Sequence, residues 1–565
     1  MNLFKLKIID EKSNHENRVV ISLMLLVMVA ILSLPAFRNG IYEGFDVTFH
    51  MGRIQSIAEE LSAGHFPARY ESNAYYGYGY ISSIMYPNIF LYIPAGLYIL
   101  GLPLYRAYNL YIILVNFAGV FIAYYSFKRV YRDSAYGFLA TIIYNFAAYR
   151  FSNIYLRTAL GEYTAMIFIP LLVYGIYKLY YEDKAESLSA RLAPTIISAF
   201  GLIESHILTT MMVAIFIALF AVANFSKTKE IIGEIIISLI FIFLTNAFFI
   251  IPFIQTYISE DMIINTSMEE VSEDIQGEGL YLRQFFRPFS EGRGSDISWS
   301  AEHEEFLALG LGVLLCIVFF IGTILFRKRY VNSTEKESFK AALIVFVLGI
   351  LAAWMSTVYF PWNLLAKNVF TGSLLCSVQF PWRYLLIQTI CFTLSGVYAI
   401  RLIIGTLQKK YLRICTMIFV CIAMLQSVIF FRYLSMANTT ISPVAISDET
   451  IWSDNLYLLY GTDVDKLQES LDIEENDGKI LLPLFGYKNI KLWDESGREI
   501  SWHVGDNNRV EIDMEDYPHV ADIDYAIPLG WRLSEILSLV SIIACIIILI
   551  KNRKGSISYE KLGEV

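Results

Sequence analysis

The amino-acid sequence predicts a polytopic α-helical membrane protein with a small extracytoplasmic β-sandwich-like domain before its last span. Hydrophobic residues make up 56% of the 565 residues and aromatic residues 15%, and the mean hydropathy is +0.50. That is more apolar surface than a water-soluble core can hide. The apolar residues fall in about twelve stretches near spanning length, roughly 17–25 residues. The charges are segregated as well. The formal charge of −9 comes from long acidic stretches, while basic residues cluster in short connectors such as Lys128-Arg129, Arg327-Lys328-Arg329, Lys409-Lys410 and Lys551 to Lys554. No basic domain exists, which excludes a nucleic-acid partner.

Taken in order, the first 18 residues are polar and mixed in charge, and an apolar run follows from Val19 to Phe37. It lacks a small-residue cleavage site, so it reads as a retained first span rather than a signal peptide. Further spans are expected near 107–127, 135–153, 163–181, 192–205, 207–224, 232–257, 304–326, 340–358, 383–404, 411–431 and 529–550. With both termini cytoplasmic, the basic connectors at 128–134, 182–191, 226–231, 327–339 and 405–413 all fall inside, as the positive-inside rule requires. Residues 84–104 contain Pro87, Pro94 and Pro103. Counting them as a span would put Lys128 to Arg132 outside, so they read as a re-entrant or juxtamembrane helix pair.

Three domains result: a transmembrane domain over 1–431 with outer loops 38–106 and 258–303, a β-rich outer domain over 432–528, and a last span with basic tail over 529–565. Within 432–528, stretches such as KILLPLFGY and VADIDYAIP alternate apolar and polar residues around Gly, Asn and Asp turns, the period of strands. The six cysteines lie almost all in apolar segments, so no disulfide framework or CxxC metal site can be built.

The first outer loop carries most of the chemistry. From Asp46 it has helical periodicity, with Val47, Met51, Ile54 and Leu61 on one apolar stripe. Asp46, His50 and Arg53 recur at i, i+4 and i+7 on the neighbouring face, so a carboxylate, an imidazole and a guanidinium project together. The bland alternative is an amphipathic interfacial helix with a solvated polar face. Gly64-His65-Phe66-Pro67-Ala68-Arg69 and the run Tyr75-Tyr76-Gly77-Tyr78-Gly79-Tyr80 follow. Such a glycine-rich run is costly to order unless the backbone must approach something closely, and tyrosine faces suit sugar rings.

The pattern Asp46-x-x-Phe49-His50-x-x-Arg53, with Gly64-x-Phe66-Pro67-x-Arg69 and Gly77-Tyr78-Gly79, resembles the first outer loop of the GT-C superfamily of membrane glycosyltransferases. Among bacterial proteins it is similar to the YfhO-like group, some of which carry the label "6-pyruvoyl-tetrahydropterin synthase-related" although nothing here resembles a pterin enzyme. Arg157-Thr-Ala-Leu-Gly-Glu162, Ser205-His206, Gln379-Phe380-Pro381-Trp382-Arg383 and the ending from Leu482-Pro483 to Tyr525-x-x-Pro528-x-x-Trp531 extend the likeness along the chain.

The resemblance implies a polyprenyl-phosphate-linked sugar as donor and an envelope glycan, teichoic acid or lipid hydroxyl as acceptor, with the active site outside the cell. Asp46 is then the candidate general base, although it also stands where a helix N-cap belongs. His50 either orients Asp46 or bonds to the interface. Arg53, Arg69, Arg157, Arg287 and Arg383, with Arg283 nearby, are candidates for the donor phosphate, which suits a planar fork. Glu162, His206, Tyr76, Tyr78 and Trp382 are candidates for acceptor and sugar.

Asp46, His50, Glu162 and His206 offer hard donors for a divalent cation, but no tight ligand spacing occurs, and no obligatory cofactor is expected. No P-loop, GxSxG or HExxH motif stands out. The acidic stretch Ser267 to Glu278, followed by Tyr281 to Arg293, is expected either to order over substrate or to remain a solvated loop. The competing functions are a transporter or flippase of lipid-linked sugar or envelope polymer, and a non-catalytic envelope scaffold. Transport calls for ionisable groups near the bilayer midplane and for internal repeats. Here the polar candidates gather at the outer ends of spans and no repeat is visible.

Overall fold

The computed structural model describes residues 11–562 except 43, 183–186, 266–274, 287–306, 406–409, 438–439, 442–454, 468–472 and 477. Among the described residues, seven helices are long and apolar enough to cross a membrane: Leu104–Tyr131, Leu160–Tyr181, Ile232–Ser259, Lys336–Met355, Pro381–Gly405, Lys410–Ser435 and Leu529–Ile548. Arg18–Leu32, Ile89–Ile99, Leu188–Ile203, Ile207–Ala223 and Leu311–Leu325 are apolar but shorter. The outer helices turn apolar side chains away from the protein, as Ile236, Leu239, Ile240 and Phe243 do on one and Ile536, Leu539, Val540 and Ile543 on another. In water such stripes would be untenable; against lipid they are the expected face. Leu385–Gly405 is buried on nearly all sides and packs against Leu311–Leu325 and Lys336–Met355 at the centre of the bundle.

Two expectations about elements change. The stretch expected to span at 135–153 breaks at Phe146-Ala147 into Ser134–Asn145 and Ala148–Tyr155, because Ala147 is extended (φ −64°, ψ 139°). The halves also differ in polarity, since Ala148–Tyr155 carries Arg150, Ser152 and Asn153 while Ser134–Asn145 is mostly apolar. The first outer helix, Val47–Ser62, does not lie on a surface with one face solvated. Val47, Met51, Ile54, Ile57 and Ala58 are buried, and so are His50 and Arg53 at 2% and 1% exposure. Residues 84–104 form only short pieces, the longest being the helical stretch Ile89–Ile99, about 17 Å at 1.5 Å per residue and too short to span.

The region over 474–525 is an antiparallel β unit, following the alternation in its sequence. One sheet orders Glu474–Asn476, Lys479–Phe485, Arg509–Asp513 and His503–Val504; the other orders Glu499–Ile500, Ile490–Asp494 and Val520–Tyr525. Ile480, Leu482, Phe485, Ile490, Leu492, Val510 and Ile512 from both sheets share one apolar cluster. The tyrosine-glycine run of the first outer loop joins that cluster. It is a closed loop pinned by mutual backbone bonds between Glu71 and Tyr80. Tyr75 and Tyr78 pack on Phe485 with ring centroids 6.2 and 5.5 Å away, and Phe485 N donates to Tyr78 O. Gly79 is required here: its φ is +89°, and a Cβ would meet the Tyr70 hydroxyl at 1.7 Å.

Candidate active site

The helix break at Ala147 starts a new helix whose register places Tyr149 and Asn153 one turn apart, with Arg157 continuing the spacing just beyond its end. All three converge on Glu162. Its Oε1 accepts from Tyr149 OH at 2.6 Å and Asn153 Nδ2 at 3.0 Å, and its Oε2 accepts from Arg157 Nη1 at 2.9 Å, with Arg383 Nε at 3.6 Å. Arg157 Nη1 also donates to Asn153 Oδ1 at 2.5 Å, and the guanidinium lies 4.2 Å over the Trp382 ring. Arg383 Nη1 donates to Val378 O at 3.0 Å and Gln379 Oε1 at 2.9 Å. The latter carbonyl is aimed by an unusual backbone at Gln379, φ 66°. Two buried arginines are thus held by one carboxylate, a cluster of net positive charge among apolar helices.

Asp46 comes to this cluster from the first outer loop. Its backbone N–H donates to Arg157 O at 3.0 Å and Thr158 Oγ1 at 3.2 Å. Thr158 sits at φ 52°, an uncommon conformation for a β-branched residue. Gly44 allows the two segments to touch, since a Cβ there would stand 2.5 Å from Thr158 Cγ2. Asp46 precedes Val47–Ser62, yet its side chain makes no capping hydrogen bond to that helix. The half-buried carboxylate lies within electrostatic reach of Arg157, Arg383, Tyr86 and Tyr108.

The two histidines flank Tyr86. His50 Nε2 accepts from Leu160 N at 3.2 Å, which leaves the ring proton on Nδ1. His206 Nδ1 accepts from Thr209 N at 3.2 Å, capping Ile207–Ala223, so its proton is on Nε2. Their rings stand 6.0 and 5.8 Å from the Tyr86 ring. Burial holds the His50 imidazole well below its ordinary value, with Arg53 and His206 adding to the effect. Burial, then Arg383, pushes His206 down to about 3 against the pull of Glu162. Both rings are therefore neutral across the physiological range.

The remaining sequence candidates are distributed differently. Arg53 Nη2 donates to Tyr86 O at 3.0 Å and Pro87 O at 2.9 Å with its guanidinium 4.2 Å over the Tyr86 ring, so it braces the 82–87 turn. Arg69 stands apart from the other arginines: it donates to Phe248 O at 2.7 Å and pairs with Glu535 at 3.2 Å, tying the first loop to two outer helices. Tyr78 is buried at 2% under the β unit and presents no face to solvent, whereas Tyr76 is 37% exposed at φ 60°. Trp382 is buried and serves as the shelf for Arg157. Arg283 is exposed, and Arg287 lies outside the described residues. Part of the acidic segment is docked, with Gln276 Nε2 donating to Phe360 O at 2.7 Å and the adjoining Leu280 exchanging backbone bonds of 2.9 and 3.1 Å with Ser356 and Val358; residues 266–274 and 287–306 lie outside the described set. Sequence reasoning missed Tyr149, Asn153 and Tyr86. The first two were findable, since 149, 153 and 157 follow an i, i+4, i+8 register. Among the described residues no group of three or more His, Cys, Asp or Glu is arranged to hold a metal ion.

No family model matches the chain. An uncharacterized protein of Lactococcus lactis subsp. cremoris (strain MG1363) is 23% identical over 364 residues, covering 62% of this chain and 55% of that protein. The chain thus spans about half the length of this curated relative. Two solved structures are similar at low identity. The archaeal oligosaccharyltransferase AglB from Archaeoglobus fulgidus, in complex with an inhibitory peptide and a dolichol-phosphate, is 14% identical with a TM-score of 0.40, covering 74% of this chain and 56% of that one. ArnT from Cupriavidus metallidurans bound to undecaprenyl phosphate is 12% identical with a TM-score of 0.28, covering 67% and 77%.

Proposed function

We propose that the chain is a GT-C-type glycosyltransferase of the cell membrane that moves a sugar from a polyprenyl-phosphate carrier to an envelope glycan, teichoic acid or lipid hydroxyl. The observation that carries this reading is the buried Arg157–Glu162–Arg383 cluster with the Asp46 carboxylate within its electrostatic reach. In the reaction the acceptor oxygen attacks the anomeric carbon, the bond from that carbon to the phosphate oxygen breaks, and polyprenyl phosphate leaves. Asp46 takes the acceptor proton. Arg157 and Arg383 stabilise the charge that develops on the departing phosphate, where preorganised donors in a water-poor site act most strongly. Glu162 is unsuited to proton transfer because its oxygens already face four donors; its part is to aim the two guanidinium groups. His206 Nε2–H is a neutral donor for a sugar or acceptor hydroxyl, and exposed Tyr76 is available as a sugar platform. Arg53 and Arg69 act through the backbone they brace. The first-loop and FPWR resemblance supports the carrier chemistry, and the basic connectors support an extracytoplasmic site.

The test is transfer from labelled polyprenyl-phosphate sugars in membranes carrying wild type, Arg157→Lys or Arg383→Lys. Lysine keeps the charge and loses the fork. We expect wild-type transfer with at least one donor, and an increase in donor KM of about tenfold or more in each variant. No transfer from any donor, together with carrier-dependent flux in proteoliposomes, would replace the enzyme by the transporter.

A further inference from the structure

A cavity of about 750 Å³ lies among the helices Ile169–Tyr181, Ile207–Ala223, Lys336–Met355 and Leu385–Gly405. Its wall is apolar, with Leu172, Val213, Ile217, Val345 and Leu348. Along the central helix the lining runs from Ile387 to Arg401, about 21 Å at 1.5 Å per residue. The two ends differ. Near Arg383 the lining residue Phe216 packs 5.9 Å from Tyr384, which stacks on Trp362 at 5.9 Å. This aromatic layer links the cavity wall to Tyr384, the residue after Arg383.

The far end is a polar mouth formed by Tyr131, Arg132, Thr334, Glu335, Tyr398 and Arg401. Arg401 Nη1 donates to Tyr131 O at 3.1 Å, which sets it beside Arg132, and among the described residues Arg401 forms no ion pair. Arg132 is half-exposed and reaches Glu182 only at 3.8 Å. Lys128 and Arg129 border an adjoining hollow with Asp133 and Glu182. The mouth's own acid, Glu335, accepts from Tyr398 OH at 3.1 Å. Two guanidinium groups thus stand at the rim of a deep apolar slot, at the basic end of the bundle.

We infer that this slot binds an anionic phospholipid of the cytoplasmic leaflet, its phosphate between Arg132 and Arg401 and an acyl chain along the apolar wall. The guanidinium fork matches a phosphate, and basic pockets between spans on the cytoplasmic side are where anionic headgroups are captured. A zwitterionic headgroup would bring its own cation against the arginines, and free phosphate would leave the apolar length unused. The polyprenyl carrier, in the reading above, holds its phosphate at Arg157 and Arg383 instead. The site does not depend on sugar transfer, so it stands or falls separately from it.

The experiment is lipid retention by the purified full chain in detergent, read by native mass spectrometry. The probes are phosphatidylglycerol and phosphatidylcholine with the same chains, with and without millimolar inorganic phosphate. Wild type is expected to prefer phosphatidylglycerol. Arg132→Gln with Arg401→Gln is expected to weaken that lipid about tenfold while leaving phosphatidylcholine unchanged, and Ala342→Phe, which fills the slot, to weaken both. Equal retention of the two lipids by wild type, undiminished phosphatidylglycerol in the double variant, or its full displacement by inorganic phosphate would each overturn the site. Should the double variant fail to fold, Ala342→Phe decides: unchanged phosphatidylglycerol retention there overturns it.

Discussion

Glu162 accepts from Tyr149 and Asn153 at Oε1 and from Arg157 at Oε2, which Arg383 Nε also faces at 3.6 Å. Glu162→Gln keeps the size but strands two buried cations. Breaking a buried pair in this way costs about 3–5 kcal/mol, so the variant should melt lower in detergent and lose donor binding together; a variant with unchanged melting and donor KM would remove Glu162 from this role. Glu71 supplies a pH prediction. Its Oε1 accepts from Ser82 Oγ at 2.9 Å and Ser83 N at 2.6 Å, and burial raises its pKa from 4.5 to about 7 although Ser83, Ser82 and Arg53 pull the other way. A raised carboxylate favours the protonated folded form, so its contribution is full below the unfolded value and is lost as pH rises through the folded one. The wild type should therefore lose melting temperature between about pH 4.5 and 7, and Glu71→Gln should flatten that slope; an identical slope in the variant contradicts the assignment. Residue types were legible, but partners were not. Arg69 reads from the sequence as a candidate phosphate ligand, but its partner Phe248 O, 179 positions away, is not legible there.

Elements were legible where one period dominates, as in the β unit and the long spans. They were hidden where a single extended residue interrupts a run, as at Ala147. The tyrosine-glycine run shows the limit from another side. The glycine-rich run reads as one whose backbone must approach something closely, and in the fold Gly79 approaches Tyr70 while Tyr78 packs on Phe485. Tyr78→Ala should loosen the β unit from the first outer loop by about 3–5 kcal/mol, the cost of truncating a buried aromatic. Phe485→Ala should be strongly non-additive with it, as contacting pairs are. Hydrogen exchange over residues 70–86 and 479–513 reads this directly; additive effects would mean the two rings do not form the junction.

At the scale of the molecule, the membrane class was plain from composition and charge segregation. The number of spans was not, because five apolar helices among the described residues, of 10–17 residues, sit at or below the shortest spanning length. What the chain accomplishes is to bring Asp46, the Arg157–Glu162 pair, His206 and Arg383 together from four separated segments, an assembly that local spacing encodes only for the Arg157–Glu162 pair. The measurement that tests the central claim is sugar transfer by Asp46→Asn against wild type, at matched levels of inserted protein, with a polyprenyl-phosphate sugar that the wild type uses. Asparagine retains the size and the backbone bonds to Arg157 and Thr158 but cannot accept a proton at neutral pH. A loss of about 10²-fold or more, with donor binding retained, is the predicted result for a general base; transfer at the wild-type rate would contradict it.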